Sequence, residues 1–235
     1  MTLTVFFILL FAALLHATWN AIVKAGSDKL SAAVSITGSA ALIAAVCLPF
    51  APQPALVSAP WLAVSCILQV IYTLLVAKTY QISDMGQTYP LMRGTAPLLV
   101  AGVSTFLPGE HLSLLAWAGI GVICLSILMM AMQSRGGSGK GVALALLNAC
   151  FIASYTLVDG TGVRLSESAL GYTLWTFLLN GTCMLAWGFY VRRREVARYM
   201  VRHWQKGLLG GVGTLGSYGL ALWAMTQAPL AVVAA

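Results

Sequence analysis

The sequence runs to 235 residues, of which 60% are hydrophobic and only 8% charged, with a mean hydropathy of +0.88 and a formal net charge of +7. A soluble domain carries about 25% charged residues, so this composition lacks the polar surface a soluble fold needs, and its apolar content excludes disorder. Unperiodic glycine and only 5 cysteines exclude a collagen-like chain and a disulfide scaffold, which leaves a polytopic membrane protein.

A membrane span takes about 20 predominantly apolar residues. In chain order the apolar runs predict helices near 3–24, 31–50, 61–80, 86–107, 113–132, 141–159, 169–191 and 207–226, with a ninth beginning near Ala228. The runs are continuous and rich in Leu and Ala, whereas a membrane β-barrel would alternate. Met1 to Val23 contains no Lys or Arg, so the first run reads as a retained span and not as a cleaved signal.

Under this segmentation 11 of the 13 basic residues fall on one side: Lys24, Lys29, Lys78, Arg135, Lys140, Arg192, Arg193, Arg194, Arg198, Arg202 and Lys206. Arg164 lies on the other side and Arg93 inside helix 4. Basic loops stay in the cytoplasm, so the charge bias predicts a multi-pass protein of the cell (inner or plasma) membrane with its N-terminus outside. The 192–206 cluster lies between two spans and reads as this topology signal, with the lipid bilayer as partner and no nucleic acid. Cysteines 47, 66, 124, 150 and 183 form no C-x-x-C pair and histidines 16, 111 and 203 no zinc pattern, so no metal or cofactor is expected.

Ala17-Thr18-Trp19-Asn20-Ala21-Ile22 and Ala153-Ser154-Tyr155-Thr156-Leu157-Val158 align at a shift of 136, which also brings Gly26 onto Gly162. A weaker echo pairs Tyr72–Gln81 with Tyr218–Gln227. Both set helix 6 opposite helix 1 and helix 8 opposite helix 3, hence a five-helix unit used twice. Five is odd, so the second copy is inverted. The expectation is an all-α bundle of inverted five-helix repeats: residues 1–135, a Gly/Ser linker at 136–141, and an incomplete second copy over 142–235. It would be a ten-helix fold truncated after about eight and a half spans.

Polar residues inside spans are costly and mark pathways. Arg93 is the deepest charge, and Tyr89, Arg93 and Pro97 share one helical face. Its alternative reading is an Arg that snorkels or bonds freed backbone carbonyls. His16, Asn20 and Lys24 form a stripe on helix 1 with Trp19 alongside. Gln69, Tyr72, Tyr155, Thr156, Tyr218 and Trp223 are softer candidates. Asp28, Asp84, Glu110, Asp159, Glu167 and Glu195 all fall in connections or at span ends, so the deep charge is positive and an anionic or zwitterionic substrate is the simpler match. Gly211-Val212-Gly213-Thr214-Leu215-Gly216 follows no strand. Gly207, Gly211 and Gly219 therefore read as close helix packing.

Tyr89-Pro90-Leu91-Met92-Arg93-Gly94-Thr95-Ala96-Pro97, followed by Pro108-Gly109-Glu110-His111-Leu112-Ser113, resembles helix 4 of the EamA-type drug/metabolite transporter superfamily and the short loop after it. His16-Ala17-Thr18-Trp19-Asn20 with Lys24 is similar to that family's first helix, and Leu222-Trp223-Ala224-Met225 before Ala228-Pro229 to its helix 8–9 junction. The resemblance implies ten helices around a central cavity and alternating-access transport of a small organic metabolite such as an amino acid or organic acid. The expected substrate-binding residues are Trp19, Asn20, Tyr72, Tyr89, Arg93, Tyr155, Thr156 and Trp223, none of them catalytic, in a chain compatible with a homo-oligomer. The competing readings are a membrane scaffold, a truncated inactive transporter, or an intramembrane enzyme. The last needs a nucleophile–base pair or clustered acids and histidines within spans, and only His16 is on offer.

Overall fold

The computed structural model describes residues 2–25, 28–106, 112–133 and 139–234. Among them it places helices α1 (Leu3–Ala25), α2 (Lys29–Cys47), α3 (Ala59–Ile82), α4 (Met85–Ser104), α5 (Leu114–Gln133), α6 (Gly139–Leu165), α7 (Ala169–Arg202), α8 (Trp204–Met225) and α9 (Leu230–Ala234), and no strand. Six of them, α1, α2, α3, α6, α7 and α8, are long and apolar enough to cross a membrane, the property of an all-α membrane protein. The expected fourth span forms as the continuous 20-residue helix α4, which falls outside that set because Arg93, two prolines and its polar first turns lower its hydropathy. The expected fifth span forms as the 20-residue apolar helix α5.

Helix starts follow from short polar side chains that cap free backbone N–H groups. Asp28 accepts from the amides of Leu30 and Ser31, both at 3.2 Å, and Ser168 from Gly171 at 3.1 Å. Two helices run further than the apolar pattern predicts. The Asp159-Gly160-Thr161-Gly162 stretch reads as the end of a span, yet α6 continues through it to Leu165. Likewise α7 passes the expected end at 191, with one non-helical residue, Arg192 (φ −140°, ψ 49°), before a further ten helical residues. Of the Gly/Ser linker at 136–141, residues 139–141 are the first turn of α6, and 136–138 lie outside the described residues. Arg135, and all but Leu112 and Ser113 of the motif 108–113, lie outside them too.

The chain divides into two compact units, Met1–Cys66 with Thr161–Gln227, and Ile67–Gly160 with Ala228–Ala235. In the first, α2 lies between α7 and α8, and α1 packs on α8. Small residues make this possible, because without side chains in the way helix backbones approach closely. On α7, Gly181 faces the Thr37 carbonyl and Gly188 faces Val34. On α8, Gly207 faces Ser35 and Gly210 faces Ile36, while a Cβ on Gly211 would stand 2.9 Å from the Ala40 backbone nitrogen. The glycines expected to serve close packing do so, Gly219 against Thr173 included. The outer face of α1 exposes Leu3, Phe7, Leu10, Phe11 and Leu14, as a lipid-facing helix does.

The 48–58 connection is clasped within the same unit. The Ala55 amide donates to the Ser166 carbonyl at 2.9 Å, Ser168 Oγ to the Pro52 carbonyl at 2.8 Å, and Trp175 Nε1 to Gln53 Oε1 at 3.0 Å. In the second unit α4 packs on α5 and α9. Gly94 admits α5, since a Cβ there would meet Ile127 Cγ2 at 3.1 Å and the Cys124 carbonyl at 3.3 Å.

Candidate functional site in the second unit

Within the second unit, α3 and α6 are joined by a polar seam. Gln69 Nε2 donates to Asp159 Oδ2 at 3.0 Å. The rings of Tyr72 and Tyr155 meet at 5.6 Å between centroids, tilted by 58°. Asn148 Nδ2 stands 3.4 Å from Thr79 Oγ1. With its amide turned over, Asn148 donates to the Tyr72 carbonyl at 3.3 Å and accepts from the Val76 N–H at 3.2 Å. Either orientation ties α6 to α3. The spacing explains the seam: Gln69, Tyr72 and Thr79 recur on one face of α3, and Asn148, Tyr155 and Asp159 on one face of α6.

Helix α4 adds the charge. Arg93 lies about 12 Å from the start of α4, at 1.5 Å per residue. Its guanidinium carbon stands 5.7 Å from the Tyr89 ring centroid, one turn earlier on the same face. The phenols of Tyr72, Tyr89, Tyr155 and Tyr80 all lie in the field of this guanidinium. Pro97 has no N–H, so the carbonyl of Arg93 lacks its intrahelical donor, and Pro90 does the same to Gly86. The site therefore sits on a weakened stretch of helix.

Four of the eight expected binding residues thus belong to one group: Tyr72, Tyr89, Arg93 and Tyr155. Thr156, also buried, follows Tyr155 on α6. Trp19, Asn20 and Trp223 stand in the first unit and make their contacts there. Trp19 covers Gly213 of α8, whose added Cβ would lie 3.3 Å from Trp19 Cβ, and its Nε1 stands 3.3 Å from His16 Nδ1. Asn20 donates to the His16 carbonyl at 2.8 Å, a bond within its own helix, and the Trp223 carbonyl accepts from Thr226 Oγ1 at 2.7 Å. The side chain of Lys24, the third member of that stripe, is outside the described residues.

The structure corrects one expectation outright. Asp159 does not lie in a connection or at a helix end: it is fully buried, six residues short of the end of α6. A buried carboxylate must be hydrogen-bonded, and Gln69 supplies one donor. The second unit therefore holds both signs of charge, not only the positive one. A signal for Asp159 existed in the sequence: Val163, one turn beyond it on the same face, is apolar and buried. A separate depression of about 360 Å³ in the first unit, lined by Gln53, Pro54, Leu62, Trp175 and Leu179 among others, touches none of the candidate residues. Among the described residues no three His, Cys, Asp or Glu side chains are grouped as metal ligands. In comparisons with known proteins, no family model and no curated protein matches the chain.

Proposed function

We propose that the protein is a secondary transporter of the EamA-type drug/metabolite class, moving a small zwitterionic or carboxylate-bearing metabolite by alternating access, with the α3–α4–α6 group of the second unit as its binding site. Arg93 receives the substrate carboxylate through its planar fork of donors, which suits bidentate geometry. Tyr72, Tyr89 and Tyr155 present ring faces and hydroxyls around it. Asp159, held by Gln69, faces the cationic end of a zwitterion. The observation that carries the reading is the placement of Arg93 of α4 among four tyrosines, in the same unit as a buried carboxylate on α6, a helix long and apolar enough to cross a membrane. No covalent step is involved, so the protein acts as a carrier and not as an enzyme.

The inverted repeat is supported by how the helices pair. Moving each helix five places along converts the α1–α8 contact into the α6–α3 contact, and each is present within its own unit. The same operation maps the α2–α7 and α4–α9 pairs onto themselves, and both pack. Trp19 and Tyr155, related by the shift of 136, both face the partner helix this symmetry assigns them. The proposed setting is the cell membrane with the N-terminus outside, by the basic-residue bias.

Counterflow in proteoliposomes, with a labelled panel of amino acids, organic acids and amines, tests the function. The proposal expects uptake of a carboxylate-bearing member, falling in the order wild type, Arg93→Lys, Arg93→Gln. The loss for Gln should be about 10-fold or more, the worth of a charge-assisted hydrogen bond. Arg93→Gln protein that inserts and exchanges at the wild-type rate would make Arg93 a packing residue. A response confined to amines would reverse the substrate's charge.

A further inference from the structure

The last ten residues of α7 are left unexplained by transport. From Ala169 to Val191 the helix measures about 33 Å, enough for a hydrocarbon core of about 30 Å. The axis then breaks at Arg192, which is pinned on both sides: its Nη1 stands 3.9 Å from Asp28 Oδ2 and 3.5 Å from Glu195 Oε2. The helix beyond is amphipathic in an unusual sense. One face, Val196 with Met200, is packed against Leu30 and Val34 of α2, and Val196 is fully buried. Tyr199 stacks on His203 at 4.4 Å on the same side.

The opposite face carries Arg194, Arg198 and Arg202 at i, i+4 and i+8, with Val201 between them. All three arginines are exposed, and among the described residues none makes an ion pair. Val201 is 79% exposed, and the arm is flanked by Tyr190 (89%) and Trp204 (59%). Exposed guanidiniums interleaved with an exposed aliphatic side chain, between two exposed aromatics at the end of a span, match the boundary layer of a bilayer, where phosphate and acyl chain meet.

The geometry points to a binding surface for anionic phospholipid headgroups on the 193–202 arm, with Arg194, Arg198 and Arg202 holding lipid phosphates and Val201 and Trp204 entering the acyl boundary. An acidic cytosolic protein would satisfy the guanidiniums but would not account for the flanking aromatics and Val201. Arg192 is outside this surface because its own carboxylate partners hold it. The bound lipid would then fix the angle of the arm on α2.

The test uses the purified full chain in neutral detergent, titrated with dioleoyl phosphatidylglycerol or dioleoyl phosphatidylcholine while its thermal midpoint is followed. Phosphatidylglycerol should raise the midpoint well above the phosphatidylcholine value, and the difference should shrink between 50 and 500 mM salt, as expected for charge pairing at an exposed surface (concentrations on the order of those that shorten the screening length severalfold). An Arg194→Gln/Arg198→Gln/Arg202→Gln variant should keep its midpoint in phosphatidylcholine and need on the order of 100-fold more phosphatidylglycerol, roughly fivefold per residue. A matching Lys triple variant should retain the response. Equal effects of the two lipids, or an unchanged response in the Gln variant, would overturn the proposal. So would a shift by poly-glutamate, lost in the Gln variant, where phosphatidylglycerol gives none.

Discussion

The two units solve helix association by opposite means. In the first, α2 meets α7 and α8 through Gly, Ala and Ser, with backbones in near contact and little for a ligand to recognise. In the second, α3 meets α6 through Tyr, Gln, Asn and Asp, and Arg93 of α4 stacks on Tyr89 one turn earlier. Buried polar atoms add little net stability over their hydration, and they cost free energy when a partner is lost. A seam of that kind is poor glue and good chemistry. The contrast teaches where to look: the close-packed unit holds the fold, and the polar unit has something to bind with.

The largest effect should come from breaking the close-packed side. Gly211→Leu sets a side chain against the Ala40 backbone, which no rotamer change can clear. A loss of about 3 kcal/mol or more is expected, at the top of the overpacking range, read as loss of folded protein in detergent by size exclusion and thermal scanning. Gly102→Leu, with open space around the added carbon, is the control that should fold normally.

The polar side should respond differently, because its cost lies in unmatched partners. Gln69→Leu removes a donor from the buried Asp159 carboxylate and should cost about 1–3 kcal/mol. The Gln69→Leu/Asp159→Leu double variant should recover part of that, since no charge is then left buried without this donor, while transport is abolished. Thermal midpoints of the three proteins close the cycle. A double variant no more stable than the single one would show that the seam also does the packing work of the first unit.

The smallest effect concerns the cap at the base of α2. Partial burial pushes the Asp28 carboxyl up, but the Ser31 hydroxyl and amide, Arg192 and the Leu30 amide together outweigh it, and the group sits below its ordinary range. A depressed carboxyl stabilises the fold above its unfolded value, and that contribution is lost as the pH falls through the folded one. Asp28→Asn should therefore be slightly less stable at neutral pH and should lose part of the acid-side decline in midpoint. A variant with the wild-type acid profile would remove Asp28 from the pH response.

Much of this was legible in the sequence, for a physical reason. A span must be apolar along its whole length, so its existence shows without tertiary information. Arg93 stood out because an ionisable group inside a span is costly, and Tyr89 through the helical face it shares with it, while Tyr72 and Tyr155 were softer candidates because aromatics inside spans usually serve packing. Asp159 did not stand out, since Asp-Gly-Thr-Gly has the composition of a loop. Those glycines serve contact instead: added Cβ atoms would strike Leu230 at Gly160, and Tyr172 and Trp61 at Gly162. The α7 arm was missed because a basic run after a span looks like a connection. Its helical signal was the spacing of Val196, Tyr199 and Met200.

The small residues of α2 have one more consequence. Its buried positions are Ser31, Ala32, Val34, Ser35, Ile36, Gly38, Ala40, Ala41 and Ala44. Alanine and glycine have no rotamers to freeze, whereas burying an arginine or a glutamine gives up about 1.5–2 kcal/mol of side-chain freedom. Docking α2 therefore surrenders little side-chain entropy at its five alanine and glycine positions, so weak dispersion contacts there survive nearly undiminished. The close-packed seam of α2 is built from residues that had little disorder to lose.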